Sequence, residues 1–157
     1  MAEDKRKLVW QFRIIYYTML AVLVAGVLTP ILYKVPDYPF LWDNILFILL
    51  FGIFFHWIFF LRLAWFGTNK WVKLVLMFLV IPIIILLMDR YTDFQAYLDD
   101  YGIQHFLGSL SFKEGQRLGG FIRTEMLFFG VASILSAILV GFRMIISIWR
   151  YKNRGIV

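Results

Sequence analysis

Residues 44–61 read NILFILLFGIFFHWIFFL, eighteen positions with one amide, one imidazole and no formal charge. At ~1.5 Å rise per residue such a run is ~27 Å long as a helix, close to the ~30 Å of a bilayer's hydrocarbon core. Three further stretches of the same kind lie at about 14–33, 71–88 and 125–147. The hydrophobic fraction is 62% and the mean hydropathy +0.78, against ~45–50% apolar content in soluble domains. A soluble bundle would keep a polar face on each helix, and these segments are apolar nearly all round. The fold class expected is therefore an all-α integral membrane protein, a four-helix transmembrane bundle forming one domain over residues 1–157.

The charges are sorted by sign around the four spans. Lys5, Arg6, Lys7, Arg13, Arg62, Lys70, Lys73, Arg143, Arg150, Lys152 and Arg154 fall on one side, with Glu3 and Asp4 as the only acids there. The other side carries five basic residues against eight acids. Basic residues near helix ends stay on the cytoplasmic face, so both termini are expected in the cytoplasm of an inner (plasma) membrane. This sorting accounts for the net charge of +6 through contact with anionic membrane lipids, and nucleic acid is not expected as a partner. The first span follows a basic segment but is too long for a signal-peptide core, and it reads as an uncleaved anchor. The chain has no cysteine, which excludes disulfides, thiolate metal sites and thiol redox chemistry.

Between the spans, Thr29-Pro30 ends the first helix and Pro36 and Pro39 enforce a tight hairpin. Gly67 to Lys70 forms a short turn, and Pro82 is expected to kink the third span. Segment 89–124 is the largest non-membrane stretch. Phe94, Tyr97, Leu98 and Tyr101 share a helical face, Gly102 suits a C-terminal cap, and Ser111 with Glu114 fits a capping box. Two short amphipathic helices are expected there, the second closed by Gly119-Gly120.

Candidate residues are few. His56 is the one ionisable group well inside a span. It is either a neutral imidazole bonded to a backbone carbonyl or to Ser or Thr, or a proton-relay, haem-ligand or substrate-contact residue. Glu125 opens the fourth span, where the helix dipole favours a carboxylate; a proton or cation site is the alternative. Arg62, Arg143 and Arg150 read as cytoplasmic anchors that snorkel to headgroups. Gly130, Ser133, Ala137 and Gly141 form a small-residue stripe for close helix packing, either within the chain or against a partner. Ala21 and Ala25 offer a weaker version. No cofactor or metal is expected. The metalloprotease, phosphate-loop and nucleophile-elbow motifs are missing, and Ser133, Ser136 and Ser147 lack a basic partner in the sequence pattern, so the chain is not expected to be an enzyme.

The expected function is a non-catalytic polytopic subunit that packs against one or more integral membrane partners in a transport, energy-transducing or assembly complex. One alternative is a small homo-oligomeric transporter that uses His56 or Glu125 in place of a membrane-embedded acid. The other is a sensor module. Four spans ending in Phe142-Arg143-Met-Ile-Ile-Ser-Ile-Trp149-Arg150-Tyr-Lys152-Asn-Arg154 resemble the membrane region that precedes the dimerisation helix in LytS-type bacterial sensor kinases. That resemblance implies signalling. With no phosphoacceptor histidine or ATP-binding domain before Val157, the signal would pass to a separate protein.

Overall fold

In the computed structural model the backbone is described over residues 2–154 except Trp65, Thr68 and Ser109; the side chains of residues 2–5, Arg62, Tyr151 and Arg154 are not described. The described residues are about 90% helical and hold no strand. Helix α1 spans Ala2–Lys34, α2 Leu41–Phe60, α3 Lys70–Tyr101, α4 Gln104–Leu107 and α5 Phe112–Arg154, with a 3-10 turn at Leu61–Leu63. Four of these, all but the one-turn α4, are long and apolar enough to cross a membrane. At ~1.5 Å per residue, α2 is ~30 Å long while α5 reaches ~65 Å and overshoots a hydrocarbon core.

Contacts between distant residues fix the arrangement. Arg13 Nε donates to the Leu63 carbonyl, and Lys73 Nζ lies 3.0 Å from Ser147 Oγ. Those contacts gather both termini and the 61–69 turn at one end, the terminal end. Lys34 meets Glu114 at 3.2 Å at the opposite, hairpin end, an exposed pair that contributes at most ~1 kcal/mol. Helix α5 is the spine and packs along both α2 and α3, whereas α1 leans chiefly on α2. Phe47, Ile48 and Phe54 of α2, Val80, Leu87 and Phe94 of α3, and Met126, Ala137, Val140 and Met144 of α5 fill the seams.

One helix boundary differs from that expected. The first helix runs through Pro30 to Lys34, because fully buried Ile31 holds the last turn in place. Val35 N–H then closes it on the Ile31 carbonyl at 2.7 Å, and Pro36 stops the helix. Pro82 lies inside α3, as expected of a proline within a span.

Segment 89–124 does not hold two separate amphipathic helices. Residues up to Tyr101 continue α3, residues from Phe112 open α5, and only the one-turn α4 stands between. Gly102 does cap α3: its φ of 71° and ψ of 155° suit glycine, and its N–H bonds the Leu98 carbonyl at 3.0 Å. Ser111 Oγ donates to Glu114 at 2.9 Å, so the capping pair opens α5 itself. Gly119-Gly120 closes nothing. The hairpin folds back on Gly119, where a Cβ would stand 3.1 Å from Leu107 Cδ1 and 3.2 Å from Ile103 Cγ2. Tyr97 OH and His105 Nδ1, 2.7 Å apart, join α4 to α3.

Candidate functional site

Buried polar side chains are where a bundle at membrane depth departs from simple packing, because each must find a partner inside the protein. Three groups of them occur here, at different heights.

The hairpin-end group is the most enclosed. Asn44 sits in the first turn of α2, its N–H bonded to the Phe40 carbonyl at 3.0 Å. Its Nδ2 donates to Glu125 Oε1. Asn44 is 0% exposed, Glu125 6% and Tyr38 4%. Tyr38 arrives from the 35–40 loop, wedged between the rings of Phe40 and Phe106 at centroid distances of 6.3 and 5.6 Å. Burial pushes the Tyr38 phenol well above its ordinary range, and the carboxyl of Glu125 adds to the effect. Three oxygens of the group, Tyr38 Oη, Asn44 Oδ1 and Glu125 Oε2, are buried without a hydrogen-bond partner. Beside it Asp43 and Arg90 pair at 3.8 Å.

Glu125 therefore is not an N-terminal carboxylate. Helix α5 begins at Phe112, more than three turns earlier, and a dipole contribution fades within the first turn. Glu114 occupies that first turn instead.

The second group lies at the terminal end. Lys73, expected in the connecting turn, is inside α3 and only 2% exposed. It shares a face with Val80, Leu87 and Phe94 at seven-residue spacing. Its ammonium bonds Ser147 Oγ at 3.0 Å, so Ser147 does have a basic partner, contrary to expectation. One turn back on α5, Arg143 Nε is buried and unpartnered. Arg150 is exposed, as an anchor would be, and the Arg62 side chain lies outside the described residues. Removing the hydroxyl in Ser147→Ala should destabilise the folded chain by about 1–3 kcal/mol, since the buried amine loses its one bond. Lys73→Met should recover that loss in the double variant. Thermal unfolding in detergent checks both, and equal melting of Ser147→Ala and wild type would contradict the pairing.

The third group surrounds His56, 1% exposed. Neither the carbonyl nor the Ser/Thr hydrogen bond expected of a neutral imidazole is formed: both ring nitrogens are buried without a partner. Four rings enclose it, with centroids at 6.2 Å for Phe12, 4.9 Å for Tyr16, 5.7 Å for Tyr17 and 5.8 Å for Phe60. The Tyr16 hydroxyl donates across the α1–α2 seam to the Gly52 carbonyl at 2.7 Å.

The small-residue stripe lies along the inner face of α5. Ser133 and Ala137 are 0% exposed, and Ser133 Oγ bonds its own helix at the Gly130 carbonyl, 2.8 Å away. Gly130 receives the Tyr91 ring, and Gly141 lies near Val80. These residues serve a seam within the chain. Glu125 shares that inner face, two turns above Ser133, while His56 belongs to the separate α1–α2 seam.

Tyr38, Asn44 and Lys73 were missed as site residues. Lys73 had a signal in its heptad spacing to Val80, Leu87 and Phe94. Asn44 had one as an amide at the head of an otherwise apolar run. Tyr38 had none, since a loop places it. The bundle also carries an apolar groove of about 540 Å³ between α1 and α2, lined by Met19, Leu20, Val22, Leu23, Phe51 and Phe55 among others. Among the described residues no three His, Asp or Glu side chains are grouped to hold a metal ion. Comparison with protein-family models, curated proteins and solved structures finds no match to this chain.

Proposed function

We propose that this chain is a non-catalytic polytopic subunit that packs against partner membrane proteins in a transport, energy-transducing or assembly complex. The observation that carries the reading is the lopsided bundle. Helix α1 leans chiefly on α2, and the open groove beside it has an apolar lining suited to close van der Waals packing with a partner helix. Val22 in that groove is 65% exposed. With the small-residue stripe consumed inside the chain, the groove replaces it as the interface under this proposal. The test is native mass spectrometry of the tagged chain extracted from its own membrane in mild detergent. A stoichiometric membrane partner is expected with wild type, lost in Val22→Trp while helix content persists. Wild type free of any partner, or retention of one by Val22→Trp, would sink the groove proposal.

The charge sorting supports an orientation with the terminal end in the cytoplasm and the hairpin end outside an inner (plasma) membrane. The natural lack of cysteine makes the test clean. In intact cells an impermeant maleimide is expected to label Asp37→Cys and to spare Asn153→Cys. The reverse pattern would invert the topology.

One observation favours a sensor as the second reading. Helix α5 runs 43 residues from the hairpin to the terminal end, a continuous rod of ~65 Å. Two glycines inserted after Trp149 would uncouple the tail and silence signalling under this reading, yet leave partner binding intact under the first.

A further inference from the structure

We propose that Tyr38, Asn44 and Glu125 form a proton-binding site, in which Glu125 is a carboxylic acid in the folded bundle and its deprotonation loosens the hairpin end of the α2–α5 seam. The argument is an inventory of donors and acceptors. Asn44 Nδ2 donates to Glu125 Oε1, which commits the amide's orientation and leaves Asn44 Oδ1 as an acceptor. With an ionised carboxylate, Glu125 Oε2 and Asn44 Oδ1 are two buried acceptors, and the phenolic hydrogen of Tyr38 can serve only one of them. A proton on Oε2 turns one acceptor into a donor. It also removes the formal charge from a side chain that is 6% exposed, where an unpaired ion is costly and a hydrogen-bonded neutral acid is not.

The surroundings supply no counter-charge. From the 35–40 loop the group facing Glu125 is Tyr38, and from α2 it is Asn44. The neighbouring Asp43 is engaged with Arg90 of α3 at 3.8 Å. Also from α3, Tyr91 packs on Gly130, farther along α5, and its hydroxyl accepts from Gln95 at 3.0 Å. Among the described residues no lysine or arginine forms an ion pair with Glu125. Deprotonation would thus leave a buried anion with no counter-charge and at least one buried acceptor without a donor, and the relief is separation of α2 from α5 or entry of water. The site stands independently of the subunit reading and would operate in a monomer or in a complex.

The sign of the pH dependence follows. At neutral pH the folded chain holds a proton that an exposed glutamate in the unfolded chain has released, so stability falls as pH rises. The unfolding constant changes by up to tenfold per pH unit for one proton, until the carboxyl ionises in the folded chain as well.

The experiment is infrared spectroscopy of the purified full chain in nanodiscs across a pH titration, paired with thermal melting. The expected result is a protonated-carboxyl C=O band at neutral pH that disappears on alkaline titration, with melting temperature falling over the same range. The band is expected to be absent in Glu125→Gln and present in Asp43→Asn. Glu125→Gln should also flatten the alkaline fall in melting temperature. Should the glutamine variant fail to fold, retention in Asp43→Asn assigns the band, because Glu125 is the one buried acid among the described residues. Absence of the band at neutral pH in wild type overturns the proposal. So does a band that appears only when sodium is replaced by N-methylglucamine, which would mark the site as one for an alkali cation.

Discussion

Asn44→Leu is expected to destabilise the folded chain by about 2–3 kcal/mol, a factor of roughly 30–150 in the unfolding constant. The volume change is small, so the loss comes from polar accounting. Asn44 supplies the one hydrogen bond that Glu125 receives, and without it both carboxyl oxygens of a buried side chain go unmatched. Replacing both partners removes the problem at its source. The double variant Asn44→Leu/Glu125→Met is expected to regain most of the loss, because apolar groups of similar size can substitute for a buried polar pair at little cost. The measurement is a double-mutant cycle by chemical or thermal unfolding in detergent, where a coupling well above 1 kcal/mol is expected. Additive single effects would mean that the amide and the carboxyl are not a pair.

Gly130→Leu carries the second large effect, and its origin is steric. A Cβ at residue 130 would stand 2.7 Å from Tyr91 Cδ2 and 3.1 Å from Tyr91 Cε2, closer than real Cβ contacts. The ring is itself backed by Phe47, whose centroid is 6.5 Å away and whose side chain is fully buried. The ring therefore has little room to swing. Overpacking of this kind costs about 1–3 kcal/mol, and a leucine adds further atoms beyond Cβ. The α3–α5 seam should open locally at the hairpin end, raising hydrogen exchange in residues 87–101. Trimming the ring in Gly130→Leu/Tyr91→Ala should restore much of the lost protection. A Gly130→Leu chain with wild-type exchange would show that this close approach is not maintained in the membrane.

The candidate sites show how far hydropathy reaches. Glu125 and His56 stood out because ionisable groups are rare in apolar runs, and both prove to be deeply buried. The helix-dipole role expected of Glu125 and the hydrogen bond expected of His56 are the parts the structure overturns. Glu125 is fourteen residues into α5 rather than at its start, because the helix begins in what hydropathy marks as loop. His56 lacks the expected hydrogen bond and has an aromatic enclosure instead. Only Phe60 of those four rings comes from α2; Phe12, Tyr16 and Tyr17 come from α1. No spacing within one helix announces such a meeting.

From its sequence alone this protein is an all-helical chain with four membrane-length segments and tight turns at Pro36 and Gly102. These features follow from local rules: a bilayer demands internal backbone bonding, proline lacks a donor, and glycine accepts positive φ. What only the tertiary structure decided is the rotation of each helix about its axis, and with it every partnership described above. In water a helix reveals its inner face by contrast with a polar outer face. In lipid both faces are apolar, so α5 gives no sign in its hydropathy that Met126, Ala137 and Val140 point inward while Leu127, Ile138 and Leu139 point out. The seam is chosen by steric fit, as at Gly130, and by the few polar atoms that must meet. Asn44 finds Glu125, and Lys73 finds Ser147, across separations of 81 and 74 residues.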